Sequence, residues 1–181
     1  AVIPFLDKLD PLAEKIGAVN TIVNENWVLT GYNTDATGFL EALRERENEP
    51  RRKNIVILGA GGAARAIAFV LAERDAHLVI LNQQLELDWA EALAYHISQT
   101  FKKGVKSLEL DEKNLATVLD KADIIVNATS VGMSPDIDKT PVPAKLLKPG
   151  LVVFDIVYNP IRTRLLREAE AAGAKTISGI D

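Results

Sequence analysis

A glycine-rich turn between an apolar segment and a helical segment constrains the fold of this chain more than any other feature. Residues 54–58 read Asn-Ile-Val-Ile-Leu, and residues 59–64 follow directly as Gly-Ala-Gly-Gly-Ala-Ala. The turn fits the pattern G-x-G-x-x-G/A, whose small residues allow a tight turn, close backbone approach to a diphosphate, and close packing of helix on strand. It predicts a β-strand followed by a helix whose first N–H groups bind phosphate.

The rest of the chain repeats this alternation of apolar strands and helices. The predicted strands are 54–58, 78–81, 105–110, 124–126, 151–154 and 175–178, and the predicted helices are 63–73, 89–100, 115–119 and 163–172. Strands that are apolar throughout are typical of a parallel sheet covered on both faces. We therefore predict an α/β fold with a doubly wound, Rossmann-like parallel sheet from about residue 50 to residue 181.

The first 53 residues have a different pattern. Apolar spacing over 5–16 predicts a helix with Pro11 at its start or at a kink, and Gly17 as its end. Two β-rich runs around residues 24–26 predict a hairpin. Residues 37–46 predict a helix capped by Asn33, Thr34 or Asp35, and the polar residues 47–53 predict a linker.

Composition excludes several classes of function. The net charge of −4, from 21 basic and 25 acidic residues, gives no reason to expect nucleic acid or an anionic membrane as a partner. No apolar stretch approaches the roughly 20 residues of a membrane span. The chain has no cysteine, which fits a reducing compartment, and its His, Asp and Glu residues show no metal-ligand spacing. His77 and His96 fit no site and are interpreted as ordinary structural or surface residues.

The residues after the second strand of a βαβ unit report which dinucleotide is bound. An acidic residue there favours the ribose 2′-hydroxyl of NAD, and a basic residue favours the 2′-phosphate of NADP. This chain has Asn82, Gln83 and Gln84 at that point, followed by Glu86 and Asp88. The residues alone therefore leave NAD and NADP both open.

Five motifs together resemble the shikimate dehydrogenase (shikimate/quinate 5-dehydrogenase) family. They are Gly-Ala-Val-Asn-Thr at 17–21, Gly-Tyr-Asn-Thr-Asp at 31–35, the turn at 59–64, Asn-Ala-Thr-Ser-Val-Gly-Met at 127–133, and Asp-Ile-Val-Tyr-Asn-Pro at 155–160. The resemblance implies a smaller α/β substrate-binding domain, of which residues 1–34 are the C-terminal remnant. It also implies a dinucleotide-binding domain over 35–181, with a linker at about 47–53.

The function that the resemblance implies is the reversible, NADPH-dependent reduction of 3-dehydroshikimate to shikimate. Family members carry out this step in aromatic amino-acid biosynthesis, the chorismate pathway. We accordingly expect a cytoplasmic enzyme, monomeric or homodimeric, with a small-molecule substrate. Three alternatives stay open: a quinate/shikimate dehydrogenase that uses NAD, a catalytically inactive nucleotide-binding fragment, and a redox-sensing regulator.

The resemblance also implies roles for individual residues. Asp35 matches the acid of a catalytic Lys–Asp pair, and Asn20 and Tyr158 match substrate contacts. The residues that match cofactor contacts are Gly59, Ala60, Gly61, Gly62, Ala63, Asn82, Gln83, Thr129, Ser130, Ile156 and Gly179. Simpler interpretations compete: Asp35 as a helix cap, Asn20 as a turn cap, and the Thr129 and Tyr158 segments as ordinary loops.

The chain departs from the family pattern in three places. The family's catalytic Lys is expected one or two residues before Ala1, since Lys8 and Lys15 are expected on the helix that follows it. The closing substrate-binding segment is expected directly after Asp181. We therefore expect a chain truncated at both ends, which binds cofactor but turns over poorly or not at all. The resemblance implies NADP as the cofactor. NAD is also possible, because Gln83 replaces the family's arginine.

Overall fold

The structure is a computed structural model that describes residues 2–179. The outer limits of the two predicted domains, residues 1 and 181, lie outside that range. The helices are α1 (Pro11–Ile16), α2 (Asp35–Glu45), α3 (Gly62–Glu73), α4 (Leu87–Phe101), α5 (Glu112–Leu119) and α6 (Arg164–Ala171). The strands are β1 (Lys8–Leu9), β2 (Thr21–Glu25), β3 (Val28–Tyr32), β4 (Asn54–Leu58), β5 (His77–Asn82), β6 (Lys106–Glu109), β7 (Ile124–Asn127), β8 (Val152–Asp155) and β9 (Lys175–Ser178).

The larger sheet has six parallel strands in the order β6-β5-β4-β7-β8-β9. Its four inner strands, β5, β4, β7 and β8, are largely apolar on both sides because helices cover both faces, whereas the edge strands β6 and β9 are mostly polar. Ile55 and Ile57 pack into one core cluster, whereas Val56 and Leu58 pack into the other. This arrangement confirms the predicted doubly wound, Rossmann-like fold.

The strand order reverses between β4 and β7. The chain builds outward from β4 to β6 in one direction and then returns to build from β7 to β9 in the other. In open α/β sheets, ligands bind outside the carboxyl ends of the strands at this reversal. The loops after β4 and β7, at Gly59 and Ala128, lie there.

The prediction of one helix over residues 5–16 is wrong. Residues Ile3–Phe5 form a single 3₁₀ turn, Lys8–Leu9 form β1, and only Pro11–Ile16 are α-helical. Asp10 has an extended backbone, as expected for a residue before proline, and its side chain accepts the Leu12 N–H as a helix cap. Lys8 therefore lies on a strand rather than on a helix.

The predicted hairpin is confirmed as β2 and β3, which pair antiparallel. Its two turn residues, Asn26 and Trp27, both have positive φ angles, 52° and 67°. That geometry is a type I′ turn, which matches the twist of the strands it joins. β1 pairs in parallel with β3 to complete a three-stranded sheet.

Helix α2 packs with the six-stranded sheet. Phe39 is 5% exposed, and its ring lies 4.6 Å from that of Phe154 on β8. Leu43 is fully buried in the same cluster, together with Ile67 of α3.

Within residues 2–179, no helix combines the length and apolar character needed to span a bilayer.

Candidate functional site

The glycine turn leaves open space where a ligand would approach. Gly59 has a φ of +97°, and a Cβ there would lie 2.9 Å from the Ala128 carbonyl oxygen, so the tight turn requires glycine. A Cβ at Gly61 or Gly62 would meet nothing within 4 Å. Gly61 caps α3 without any side-chain hydrogen bond to the first N–H groups. These exposed amides at the positive end of the helix fit a diphosphate.

Two cavities lie on either side of the first turn of α3. The larger, about 390 Å³, lies between α2, α3 and the ends of β8 and β9, and we call it the crevice. The predicted site residues that line it are Asp35, Ala63, Ile156, Tyr158 and Gly179. The smaller cavity, about 370 Å³, is lined by Ala60, Gly61, Gly62, Arg65 and Trp89, among others. The structure therefore brings most of the predicted site together around one helix end.

Asn20 and Asp35 meet at the mouth of the crevice. The Asn20 amide nitrogen donates to Asp35 Oδ1 at 2.5 Å and to the Thr34 hydroxyl at 2.9 Å, while its oxygen accepts the Thr34 N–H at 3.0 Å. These bonds hold the start of β2 against the start of α2. Thr34 occupies the N-cap position of α2 but makes no side-chain cap bond, and the side chain that accepts a first-turn N–H is that of Asn33, from Ala36 at 3.3 Å. Asp35 is thus free of the capping role that competed with a catalytic one.

Ile156 and Gly179 form a wall of the crevice. A Cβ at Gly179 would lie 2.5 Å from the Ile156 carbonyl oxygen, so a side chain cannot be placed there without moving the backbone. Tyr158, two residues beyond Ile156, is 64% exposed and lines the same cavity as Asp35. The crevice therefore has Ile156 and Gly179 on one wall and the exposed ring of Tyr158 among its lining residues.

A buried polar network supports the two loops that flank the site. Asp155 is fully buried and accepts hydrogen bonds from the Asn127 amide at 2.9 Å, the Val157 N–H at 3.1 Å and the Thr163 hydroxyl at 2.6 Å. Burial raises the pKa of Asp155 above its usual range, and the three hydrogen bonds oppose that rise. Thr163 also caps α6 by accepting the Leu166 N–H.

Asn127 extends the network into the loop after β7. Its side-chain oxygen accepts the Thr129 hydroxyl at 2.6 Å, and that hydroxyl accepts the Val131 N–H at 3.1 Å. The Thr129 hydroxyl is therefore turned inward, so a ligand would meet the Thr129 backbone and the exposed Ser130. Sequence reasoning missed Asn127 and Asp155 as site residues. Their signal is a polar side chain that ends an otherwise apolar, fully buried strand.

The end of β5 holds the other predicted cofactor residues. Asn82 is buried, and its amide nitrogen donates to the Glu86 carbonyl oxygen at 2.8 Å, which fixes the loop that follows. Gln83 is exposed in that loop.

No group of three or more His, Cys, Asp or Glu residues within the described part of the chain is arranged to hold a metal ion.

A family model and individual relatives of this chain point to the same family. A family model described as shikimate / quinate 5-dehydrogenase matches residues 41–160. The shikimate dehydrogenase (NADP(+)) of Dehalococcoides mccartyi strain CBDB1 is 46% identical over 180 residues, which cover 99% of this chain and 62% of the relative. The chain thus spans about six tenths of the length of the curated relatives it matches.

Two solved structures are also similar. Shikimate 5-dehydrogenase from Listeria monocytogenes, in complex with shikimate and NAD, has a TM-score of 0.88 and 39% identity, covering 99% of this chain and 63% of the other. Quinate dehydrogenase from Corynebacterium glutamicum, in complex with NAD, has a TM-score of 0.85 and 34% identity, covering the same shares.

Proposed function

Since the chain belongs to the shikimate / quinate 5-dehydrogenase family, we propose that it binds NAD(P) and serves the reversible reduction of 3-dehydroshikimate to shikimate. The observation that carries the proposal is the position of the glycine turn beside the crevice. Gly61 and Gly62 lie on one side of the first turn of α3, and Ala63 lines the crevice that contains Asp35 on the other. A dinucleotide held at the turn would have the crevice within its reach.

Each part of the dinucleotide has a matching surface. The diphosphate would accept hydrogen bonds from the first N–H groups of α3 at Gly61 and Gly62. Ile156 and Gly179 would form a wall for the nicotinamide ring, with the Thr129 backbone and Ser130 nearby. The bound dinucleotide supplies or accepts the hydride, so the protein has to provide positioning and proton transfer.

The polar residues of the crevice would handle the substrate. Tyr158 offers a hydrogen bond to a ring hydroxyl, Asn20 would bind one in exchange for its bond to the Thr34 hydroxyl, and Asn20 also fixes the direction of the Asp35 carboxylate. A carboxylate in this position stabilises the charged form of a neighbouring amine and orients it toward the hydroxyl whose proton is transferred. The resemblance assigns that amine to a lysine, which makes Asp35 the acid of the pair.

We also propose a domain organisation, a location and an oligomeric state for the protein. Residues 35–181 would form the dinucleotide-binding domain, and residues 1–34 would belong to the substrate-binding domain, with residues 47–53 as the linker. The substrate is a small molecule, the protein acts in the cytoplasm, and it is a monomer or a homodimer. Each of these statements follows from the family rather than from the site.

An activity assay of the protein that carries these 181 residues tests the proposal. Asp35→Asn removes the charge but keeps an oxygen to accept from Asn20, and we expect kcat/KM for shikimate oxidation to fall by about 100-fold. The control is Glu112→Gln, which removes a carboxylate from the first turn of α5, and it should leave kcat/KM unchanged. Equal rates for Asp35→Asn and the unchanged protein would contradict the role of Asp35. The absence of shikimate oxidation in the unchanged protein would contradict the proposed function.

A further inference from the structure

Acidic residues occur in both chain segments at the end of β5, where the adenosine ribose of a dinucleotide would lie. Glu109, the last residue of β6, pairs with Asn82, the last residue of β5. Glu86 and Asp88 follow β5 in the connection to α4 and in its first turn. Three acidic residues therefore lie in the two chain segments at this corner of the sheet, and Glu86 and Asp88 are exposed.

Glu109 is held at this corner by a side-chain contact. With its amide nitrogen turned toward Glu109, Gln84 donates to the two carboxylate oxygens at 2.9 and 3.0 Å. In that orientation the amide nitrogen, rather than the amide oxygen, faces the two carboxylate oxygens. Glu109 is half-buried, whereas the neighbouring Gln83 is exposed. The carboxylate charge is consequently fixed next to the residue that should read the ribose.

The two chain segments that form this corner contain no basic residue. Residues 82–89 and 108–112 contain no Lys and no Arg. Lys145 pairs with Glu112 on α5, and Arg65 lines the cavity at the glycine turn. A 2′-phosphate, which carries a charge of about −1.5 to −2 near neutral pH, would lie near the Glu109 carboxylate here, and these two segments supply no cation.

We propose that this site selects the 2′-hydroxyl dinucleotide, NADH, over NADPH, and that Glu109 sets the preference. The inference rests on the proposed function. The neutral ribose hydroxyl can donate to a carboxylate or to the Gln83 amide oxygen. A phosphate would be repelled by the Glu109 charge, which is screened by salt less than a fully exposed charge would be. The preference is therefore opposite to the one that the family resemblance implies.

Binding measurements test the inference without any need for turnover. NADH and NADPH are titrated separately into the protein that carries these 181 residues, and their dissociation constants are compared by fluorescence or calorimetry. We expect NADPH to bind at least about tenfold more weakly. Glu109→Gln should strengthen NADPH binding by about threefold or more, and leave NADH binding within about twofold. The matched control, Glu91→Gln on the exposed side of α4, should change neither constant.

The outcomes separate this inference from the proposed function. If NADPH binds as tightly as NADH or more tightly, the protein still binds dinucleotide but the inference is overturned. The inference is equally overturned if Glu109→Gln changes both constants by the same factor. If neither dinucleotide binds, the proposed function fails, and the inference fails with it.

Discussion

Asp155 organises two loops that line the candidate site. Its carboxylate binds Asn127 at the end of β7 and Thr163 at the start of α6, and it accepts the N–H of Val157. Ile156 and Tyr158 lie in the loop that begins at this residue, and Thr129 lies in the loop that Asn127 holds. One buried acid therefore positions both loops without contacting the crevice itself.

The raised pKa of Asp155 makes a prediction about stability. Because the folded state favours the protonated form, the contribution of Asp155 is fully present below the unfolded pKa of about 3.9 and is lost as the pH rises through the folded value. Asp155→Asn removes the charge but keeps an oxygen for the Asn127 and Val157 donors. We expect the free energy of unfolding of the variant, relative to that of the unchanged protein, to rise with pH.

Urea unfolding from pH 4 to pH 7 measures this difference. The Thr129→Ser variant keeps the hydroxyl that bonds Asn127 and serves as a control, because its difference from the unchanged protein should not vary with pH. A difference for Asp155→Asn that stays flat or falls with rising pH would mean that the hydrogen bonds outweigh burial, and that the pKa of Asp155 is not raised.

The sequence alone predicts the position of a turn where local backbone chemistry decides it. The glycine pattern located the turn at Gly59 and Gly61, but only coordinates show that Gly59 is needed for the backbone and that Gly61 leaves room for a ligand. Asp155 was not identified, because a lone acid after an apolar strand has no recognisable partner until Asn127 and Thr163 are brought beside it. Those partners are 28 and 8 residues away along the chain.

At the scale of elements, apolar spacing alone predicts the wrong structure for residues 5–16. The apolar positions over residues 5–16 fit a helix, but Asp10 and Pro11 set the actual start of α1, and the preceding Lys8–Leu9 found a partner in β3. Pairing between strands is a non-local interaction that helical periodicity cannot report. The elements of the six-stranded sheet were predicted more closely because their apolar runs are bounded by glycine and polar residues.

Helix α2 provides a prediction at this scale. Phe39 and Leu43 pack on Phe154 and Ile67, so α2 should fold with the six-stranded sheet. We expect a polypeptide of residues 35–181 to unfold cooperatively. A polypeptide of residues 47–181 lacks α2 and should be less stable by about 4 kcal/mol, since each large apolar side chain contributes about 1.5–3 kcal/mol on burial.

Urea unfolding of the two polypeptides, followed by circular dichroism, gives the comparison. We expect a lower unfolding midpoint for residues 47–181, with a similar content of secondary structure in the sheet. Equal midpoints would show that α2 adds nothing to this sheet, and would place the start of the dinucleotide-binding domain after the helix rather than at residue 35.

At the scale of the whole molecule, strand order brings motifs that are far apart in the sequence next to one another. The chain order of the motifs is visible in the sequence, but their proximity depends on β4 lying between β5 and β7. That order brings the turn after β4 beside the loop after β7, where a Cβ on Gly59 would approach Ala128 and Thr129. Helix α2 then adds Asp35 to the crevice from outside the sheet.

The most direct test asks whether a dinucleotide binds at the glycine turn. NADH is titrated into the unchanged protein, into Gly61→Val, and into Gly104→Val, a control at a second glycine where an added Cβ meets nothing within 4 Å. We predict that Gly61→Val costs about 1 kcal/mol of stability or less and weakens NADH binding by about tenfold or more. Gly104→Val should bind NADH as the unchanged protein does. Undiminished NADH binding by folded Gly61→Val would contradict the account.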